Sequence, residues 1–455
     1  MQTHLIRCSA LAWCAMLLPQ AASAQNDTTL APATKQPCVE LLSSEEAWSR
    51  LPPLAKPLQE PLPNWARCLA HTLPATTAAM LELDYKLRAT GDEATQQCYA
   101  VARLAVAREL QCDYLIQYAV ADLARCHAPT TWSSDAQVKN ALPAQMQSIY
   151  RFAQQMTRAA RDVSDEELEK LRVELGEPKL VGLVLAIGYA NFTGRLALAL
   201  NLPNDTSASM DPIQVDFEGS TPTGADAQAA ARPEIPVEPI VSNATPAGRA
   251  LLSNDWRELN IQHLRQKLEQ QRERDSRIRV PDWEEIREQL PAGLYPQPLR
   301  IRWSRVVVGY QPEIGPAWIK CLRVFEREAH QDRVFEESVF WVVTRGLKCF
   351  YCMGHCEMLM EVGGLSEAQI QERTERLASG NWSSFTAAEQ SALQYAHQLT
   401  GEPQSITCAD FERLVKALGS ERALDCVWWI CRCQFMTKVS DAFQLTLERE
   451  NVFAR

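Results

Sequence analysis

Apolar positions recur three and four residues apart along most of this chain, and strand-like alternation is scarce. That pattern predicts an all-α protein. The helix starts are written in the polar breaks between apolar runs. Ser43-x-x-Glu46, Ser164-x-x-Glu167, Ser366-x-x-Gln369, Thr386-x-x-Glu389 and Thr407-x-x-Asp410 all have the form of a capping box. In each, a side-chain oxygen just before the helix can accept an amide proton that the helix itself leaves unpaired. Gly363-Gly364 is placed to end the helix before it.

The breaks also divide the chain. His4 and Arg7 precede an apolar stretch from Cys8 to Leu18, and Ala22-Ser23-Ala24 follows, so residues 1–24 read as a signal peptide for export to the periplasm or beyond. Trp13 before Cys14 argues against lipidation, and the apolar run is short for a membrane span. Residues 25–42 read as a disordered lead-in. Helical patterns fill residues 43–202. Seven prolines run from Pro203 to Pro246, both included, and residues 203–250 read as a linker that cannot bury a core. A charged connecting helix is expected within 251–281, and a second folded region over 282–455. The apolar stretch from Leu180 to Leu200 contains Asn191 and Arg195, which predicts a core helix rather than a membrane span.

The two folded regions look like copies of one another. Trp65 matches Trp303, and Leu110-Gln111-Cys112-Asp113-Tyr114 matches Leu347-Lys348-Cys349-Phe350-Tyr351. Phe192 with Arg195 matches Phe435 with Lys438. The copies differ in their chemistry. Where the second has Cys352, His355, Cys356 and Glu337, the first has Leu115, Tyr118, Ala119 and Ala100. The first copy is therefore expected to be a scaffold and the second to hold the site.

A net charge of −10 and the lack of a strongly basic patch argue against nucleic acid, or a membrane surface, as the main partner. Of fifteen cysteines, thirteen would remain after signal cleavage. The odd number leaves at least one thiol unpaired within the chain, and export would place all of them in an oxidising compartment.

Cys349-Phe350-Tyr351-Cys352, with His355 and Cys356 one turn later, is the arrangement of a redox dithiol. A thiol at a helix start has its anion stabilised by unpaired N–H groups and the helix dipole, which favours Cys349 as the more acidic partner. Glu337, twelve residues before Cys349, can accept a thiol proton directly or through His355. Cys431-x-Cys433 could complete a four-thiolate zinc site with Cys349 and Cys352, but two Cys-x-x-Cys knuckles are the usual form. No metal and no cofactor is expected. Trp428-Trp429 reads as core or as a contact between the copies.

The run from Glu337 through Cys349, Cys352 and His355, with the Ser366 helix, Ala396-His397-Gln398-Leu399-Thr400 and the last helix around Phe435, resembles the carboxymuconolactone decarboxylase and alkylhydroperoxidase D-like superfamily. The likeness covers about residues 285–450, and more weakly 45–202. It implies an all-helical fold with closely associating subunits, so a homo-oligomer is one option. It further implies thiol-based reduction of a hydroperoxide, with an external thiol reductant. Glu337, Cys349 and Cys352 fall on the family's acid and dithiol positions, which would make Cys352 the attacking thiol and Cys349 the resolving one. The family's histidine position is Cys356 here, and His355 stands one residue early, about 100° around a helix. Three other functions fit the same residues: a protein thiol–disulfide oxidoreductase, a scaffold with structural disulfides, and a decarboxylase-like lyase.

Overall fold

The computed structural model describes residues 36–129, 141–218 and 259–454, apart from 57, 59 and 296, together with Trp132 and Trp256. Among these the chain is all-α, with 18 α-helices and no strand. The helix starts sit where the polar breaks place them. Ser43, Ser366, Thr386 and Thr407 form complete capping boxes, and Ser164 accepts from the Glu167 amide. Each cap of this kind contributes about 1 kcal/mol.

In chain order the first helices are α1 (Ser44–Arg50), α2 (Asn64–Leu69), α3 (Pro74–Ala89), α4 (Glu93–Glu109) and α5 (Asp113–Arg125). They are followed by α6 (Ala144–Ala159), α7 (Asp165–Leu175) and α8 (Glu177–Ala199). Then come α9 (Ile261–Glu273) and α10 (Trp283–Glu288). The later helices are α11 (Arg302–Tyr310), α12 (Ile314–Glu328), α13 (Arg333–Leu347) and α14 (Phe350–Val362). The last four are α15 (Glu367–Ser379), α16 (Ala387–Gly401), α17 (Cys408–Leu418) and α18 (Ser420–Ala442).

The two halves repeat local geometry as well as order. α4 packs on α5, α6 and α8, and α13 packs on α14, α16 and α18. Gly176 (φ 77°) turns α7 into α8, and Gly419 (φ 85°) turns α17 into α18. Both positions demand a φ that a side chain disfavours, and both lead into a helix of 23 residues. The Tyr114 hydroxyl accepts from the Trp65 amide at 3.4 Å, and the Tyr351 hydroxyl accepts from the Trp303 amide at 3.1 Å.

The halves share one core. α8 lies along α18, and α3 along α12. Phe192 meets the edges of Trp318 and Trp428 at 6.1 and 5.5 Å, while Phe435 and Phe325 stack on those same indoles at 3.9 and 4.0 Å. Trp428 donates to the sulfur of Met80 from the first half. Aromatic pairs of this geometry add about 1 kcal/mol each beyond their buried area. α8 is the one described helix long and apolar enough to cross a membrane, and here its side chains are buried in protein.

Three segments differ from their sequence pattern. Residues 36–42 are not a loose lead-in: Cys38 is disulfide-bonded to Cys408 at the start of α17. Residues 203–218 of the expected linker fold back onto the first half. Asp205 accepts from the Tyr118 hydroxyl at 2.8 Å and the Asn64 amide at 2.9 Å, and Ile213 and Phe217 are buried. Proline content hid these anchors, since a few buried contacts suffice to hold a strand of chain. The connecting helix is shorter than expected, because Asn260 caps it by accepting from the His263 amide and Arg274 is extended. Residues 1–35 and 219–255, hence the signal peptide and most of the linker, lie outside the described residues.

Candidate functional site

The site begins where α13 stops. Lys348 takes a left-handed conformation (φ 59°) that breaks the helix, and the Cys349 amide then bonds back to the Thr344 carbonyl at 2.9 Å. Cys349 thereby becomes the N-cap of α14, and Cys352 falls in its first turn. Cys112 caps α5 with nearly the same backbone angles, but Leu115 stands where Cys352 does, and the Cys112 thiol lies 3.6 Å from the Gly194 carbonyl.

Cys349 is fully buried and Cys352 is 3% exposed. The two thiols are close enough to act on one another. Two consecutive residues of α18 flank them. The Ser440 hydroxyl lies 3.3 Å from the Cys352 sulfur, and the charge of Asp441 acts on the Cys349 thiol. Burial pushes the Cys349 thiol well above its ordinary range, and the neighbouring Cys352 thiol and the charge of Asp441 act the same way. The Cys352 amide at the helix start pulls in the other direction but is outweighed. The acidifying effect expected of the helix start on Cys349 is thus outweighed: loss of solvent costs the anion more than the helix terminus returns.

Deeper along the same face of α14 lies Cys356, opposite Cys433 of α18 and Glu337 of α13. Cys349, Cys352 and Cys356 recur at helical spacing, which sets them on one stripe. Glu337 is buried, with neither carboxylate oxygen hydrogen-bonded and the Arg333 guanidinium 3.5 Å away. Burial raises its carboxyl to about 7, against the pull of Arg333 and Arg432. This is an acid that changes charge near neutrality, and it is not a surface companion of Glu336, which is also buried.

His355 sits on a neighbouring face. Its Nε2 is 2.7 Å from Glu448, whose other oxygen accepts from the Tyr351 hydroxyl at 3.2 Å and the Arg302 amide at 2.7 Å. Its ring packs on Tyr351 and against Phe453, with centroids 4.3 and 5.1 Å away. The structure therefore brings together Cys349, Cys352, Cys356 and Glu337, and sets His355 in a polar cluster that ties α14 to the C-terminal segment.

Several groups of the site were not singled out for it in the sequence. Ser440 and Asp441 lie in α18, as does Lys438, which is buried and donates to the Thr157 carbonyl of the first half at 2.7 Å. Burial lowers its ammonium to about 7 and raises the Asp441 carboxyl to about 7. Opposite charges three residues apart in a buried helix were the available signal. Arg161, also from the first half, donates to the Lys348 carbonyl at 2.8 Å and lies over the Phe350 ring. Cys431 faces Arg195 rather than the dithiol, and no group of three or more His, Cys, Asp or Glu among the described residues is placed to hold a metal ion.

A cavity of about 650 Å³ opens at the end of α13, lined by Trp256, Arg345, Lys348 and His397, with neither thiol of the pair in its wall. In comparisons with known proteins, no family model matches this chain and no curated protein matches it.

Proposed function

We propose that this protein is an exported thiol peroxidase of the alkylhydroperoxidase D-like kind, which reduces a hydroperoxide through Cys349 and Cys352. The observation that carries this reading is a buried Cys-x-x-Cys pair at the start of α14, with the Ser440 hydroxyl 3.3 Å from the Cys352 sulfur and, further along the same stripe, a buried Glu337 carboxyl raised to about 7 beside Cys356. Such a carboxyl can take and return protons at neutral pH. Cys349 keeps its proton, which leaves Cys352 to attack. The Cys352 sulfur bonds to the outer peroxide oxygen, the O–O bond breaks, and the alkoxide leaves as an alcohol with the proton that Cys352 gave up. Cys349 then attacks the sulfenic acid, the S–O bond breaks and water departs. An external dithiol reductant returns the pair to the thiol state.

Burial of both sulfurs favours a small oxidant over a protein disulfide, which could not reach them without opening α14. The Cys38–Cys408 bond supports the oxidising compartment that export implies. Cys352→Ser is expected to abolish peroxide-driven loss of the Cys349 thiol, and Cys349→Ser to stop the reaction at a sulfenic acid on Cys352 with no disulfide, measured by alkylation and mass spectrometry. Full peroxide turnover in both variants would sink the proposal.

A further inference from the structure

The cavity at the end of α13 has neither thiol of the pair in its wall, but it has a buried cation there. Arg345, in the last turn of α13, is 1% exposed. One terminal nitrogen of its guanidinium donates to the carbonyls of Trp256 and Leu259, both at 2.7 Å. The guanidinium carbon lies 4.8 Å from the centre of the Trp256 ring. These contacts fix the side chain but neutralise no charge. No acidic side chain among the described residues pairs with it, and its buried Nε has no hydrogen-bond partner. A buried charge of this kind is costly unless a counter-charge meets it.

The rest of the wall selects among counter-charges. Trp256, Val342 and Leu347 give it an apolar side, and the His397 ring stands edge-on to the Trp256 indole at 5.3 Å. Two more cations reach the cavity, but Arg158 is paired with Glu109 at 3.1 Å and Lys348 is likewise engaged. Glu402 adds a carboxylate. α13 and α16 both end here. The Thr344 and Gln398 carbonyls in their last turns are taken by the Cys349 and Glu402 amides, at 2.9 and 2.8 Å. Those bonds blunt the negative ends of the two helices, which would otherwise oppose an anion. Arg345 is thus left with a single charge to be met.

We propose that this cavity is a binding site for an organic monocarboxylate with an apolar body, and that Arg345 is the residue that meets the carboxylate. The body of the ligand lies along Trp256, Val342 and Leu347. The volume, about 650 Å³, is that of a site which encloses a small organic molecule. A monoanion balances the one guanidinium, whereas a dianion such as phosphate is repelled by Glu402. The site stands independently of the peroxidase reading, because it uses neither Cys349 nor Cys352 and is read by binding rather than by turnover.

The test is isothermal titration calorimetry on the full chain, with hexanoate and phenylacetate as probes. The wild type is expected to bind at least one of them with a Kd below about 1 mM. The matching neutral amide, hexanamide or phenylacetamide, is expected to bind about ten- to a hundred-fold more weakly, because it brings no charge to the guanidinium. That comparison leaves the protein unaltered and so does not depend on how a variant folds. Arg345→Gln, whose amide can still donate to the Trp256 or Leu259 carbonyl, is expected to bind acid and amide alike. The assignment is overturned if neither carboxylate binds the wild type below about 10 mM, if acid and amide bind it equally, or if inorganic phosphate binds more tightly than both carboxylates. It is equally overturned if Arg345→Gln, folded by circular dichroism, keeps the full preference for the acid.

Discussion

Glu337 shows how a single side chain can be legible in the sequence while its behaviour is not. Its spacing from Cys349 marked it as an acid of the site. Only the structure removes it from solvent, leaves its oxygens without a hydrogen bond, and so raises its carboxyl from 4.5 to about 7. A raised folded-state value has a definite sign. Below about pH 4.5 the group is protonated folded or unfolded and costs nothing. As pH rises toward 7 the unfolded chain ionises first, and stability is lost. At roughly 1.4 kcal/mol per pH unit the penalty approaches 3 kcal/mol above neutrality. Glu337→Gln is therefore expected to match wild-type stability near pH 4 and to exceed it by about 1–3 kcal/mol at pH 8, by urea denaturation. Equal stability at both pH values would show that the carboxyl is solvated. The same variant is expected to slow oxidation of Cys352 by peroxide, which separates a stabilising effect from a chemical loss.

At the level of the helix, polar caps and the apolar period located most elements, because both depend on near neighbours in the chain. The end of α13 was less visible, since a lysine in the left-handed region carries no sequence mark. The position of α14 depends on a glycine whose purpose appears only in three dimensions. A methyl group on Gly354 would come within 2.4 Å of Leu447, a buried residue of the C-terminal segment. Gly354→Ala is expected to cost about 1–3 kcal/mol by overpacking and to disturb the thiols one turn away. Leu447→Ala alone is expected to cost about 2–5 kcal/mol through the cavity it leaves. Combined, the two should cost less than their sum, because each relieves the fault of the other. Additive costs in chemical denaturation would mean that α14 shifts instead of pressing on Leu447.

Across the whole molecule, the ordering of residues 36–42 and the joining of the halves depend on partners hundreds of positions away. Cys38 and Cys408 are separated by 370 residues, and no local pattern could pair them among so many cysteines. Closing so long a loop restricts the unfolded chain, and loss of the bond is expected to cost about 2–4 kcal/mol. Cys408→Ser should thus lower the melting temperature, and a reductant should lower that of the wild type but not of the variant. A melting temperature indifferent to both would mean that the bond does not persist in solution. The seam between α8 and α18 likewise brings Arg161 to the backbone beside the dithiol, so the half without the Cys-x-x-Cys pair contributes more to the site than a scaffold would.

The sequence by itself determined the all-α class, the helix starts and the stripe of Cys349, Cys352 and Cys356. These follow from periodicity and capping, which operate over three to seven residues. The sequence also marked Glu337 as an acid. Tertiary structure alone decided that His355 turns to Glu448 while Ser440 meets the Cys352 sulfur, that the first half lends Arg161, and that residues 203–218 pack. It also raised the Cys349 thiol well above its ordinary range despite the helix start. Solvation and charge depend on what surrounds a group in space, and for a buried thiol those surroundings outweigh its place along the helix.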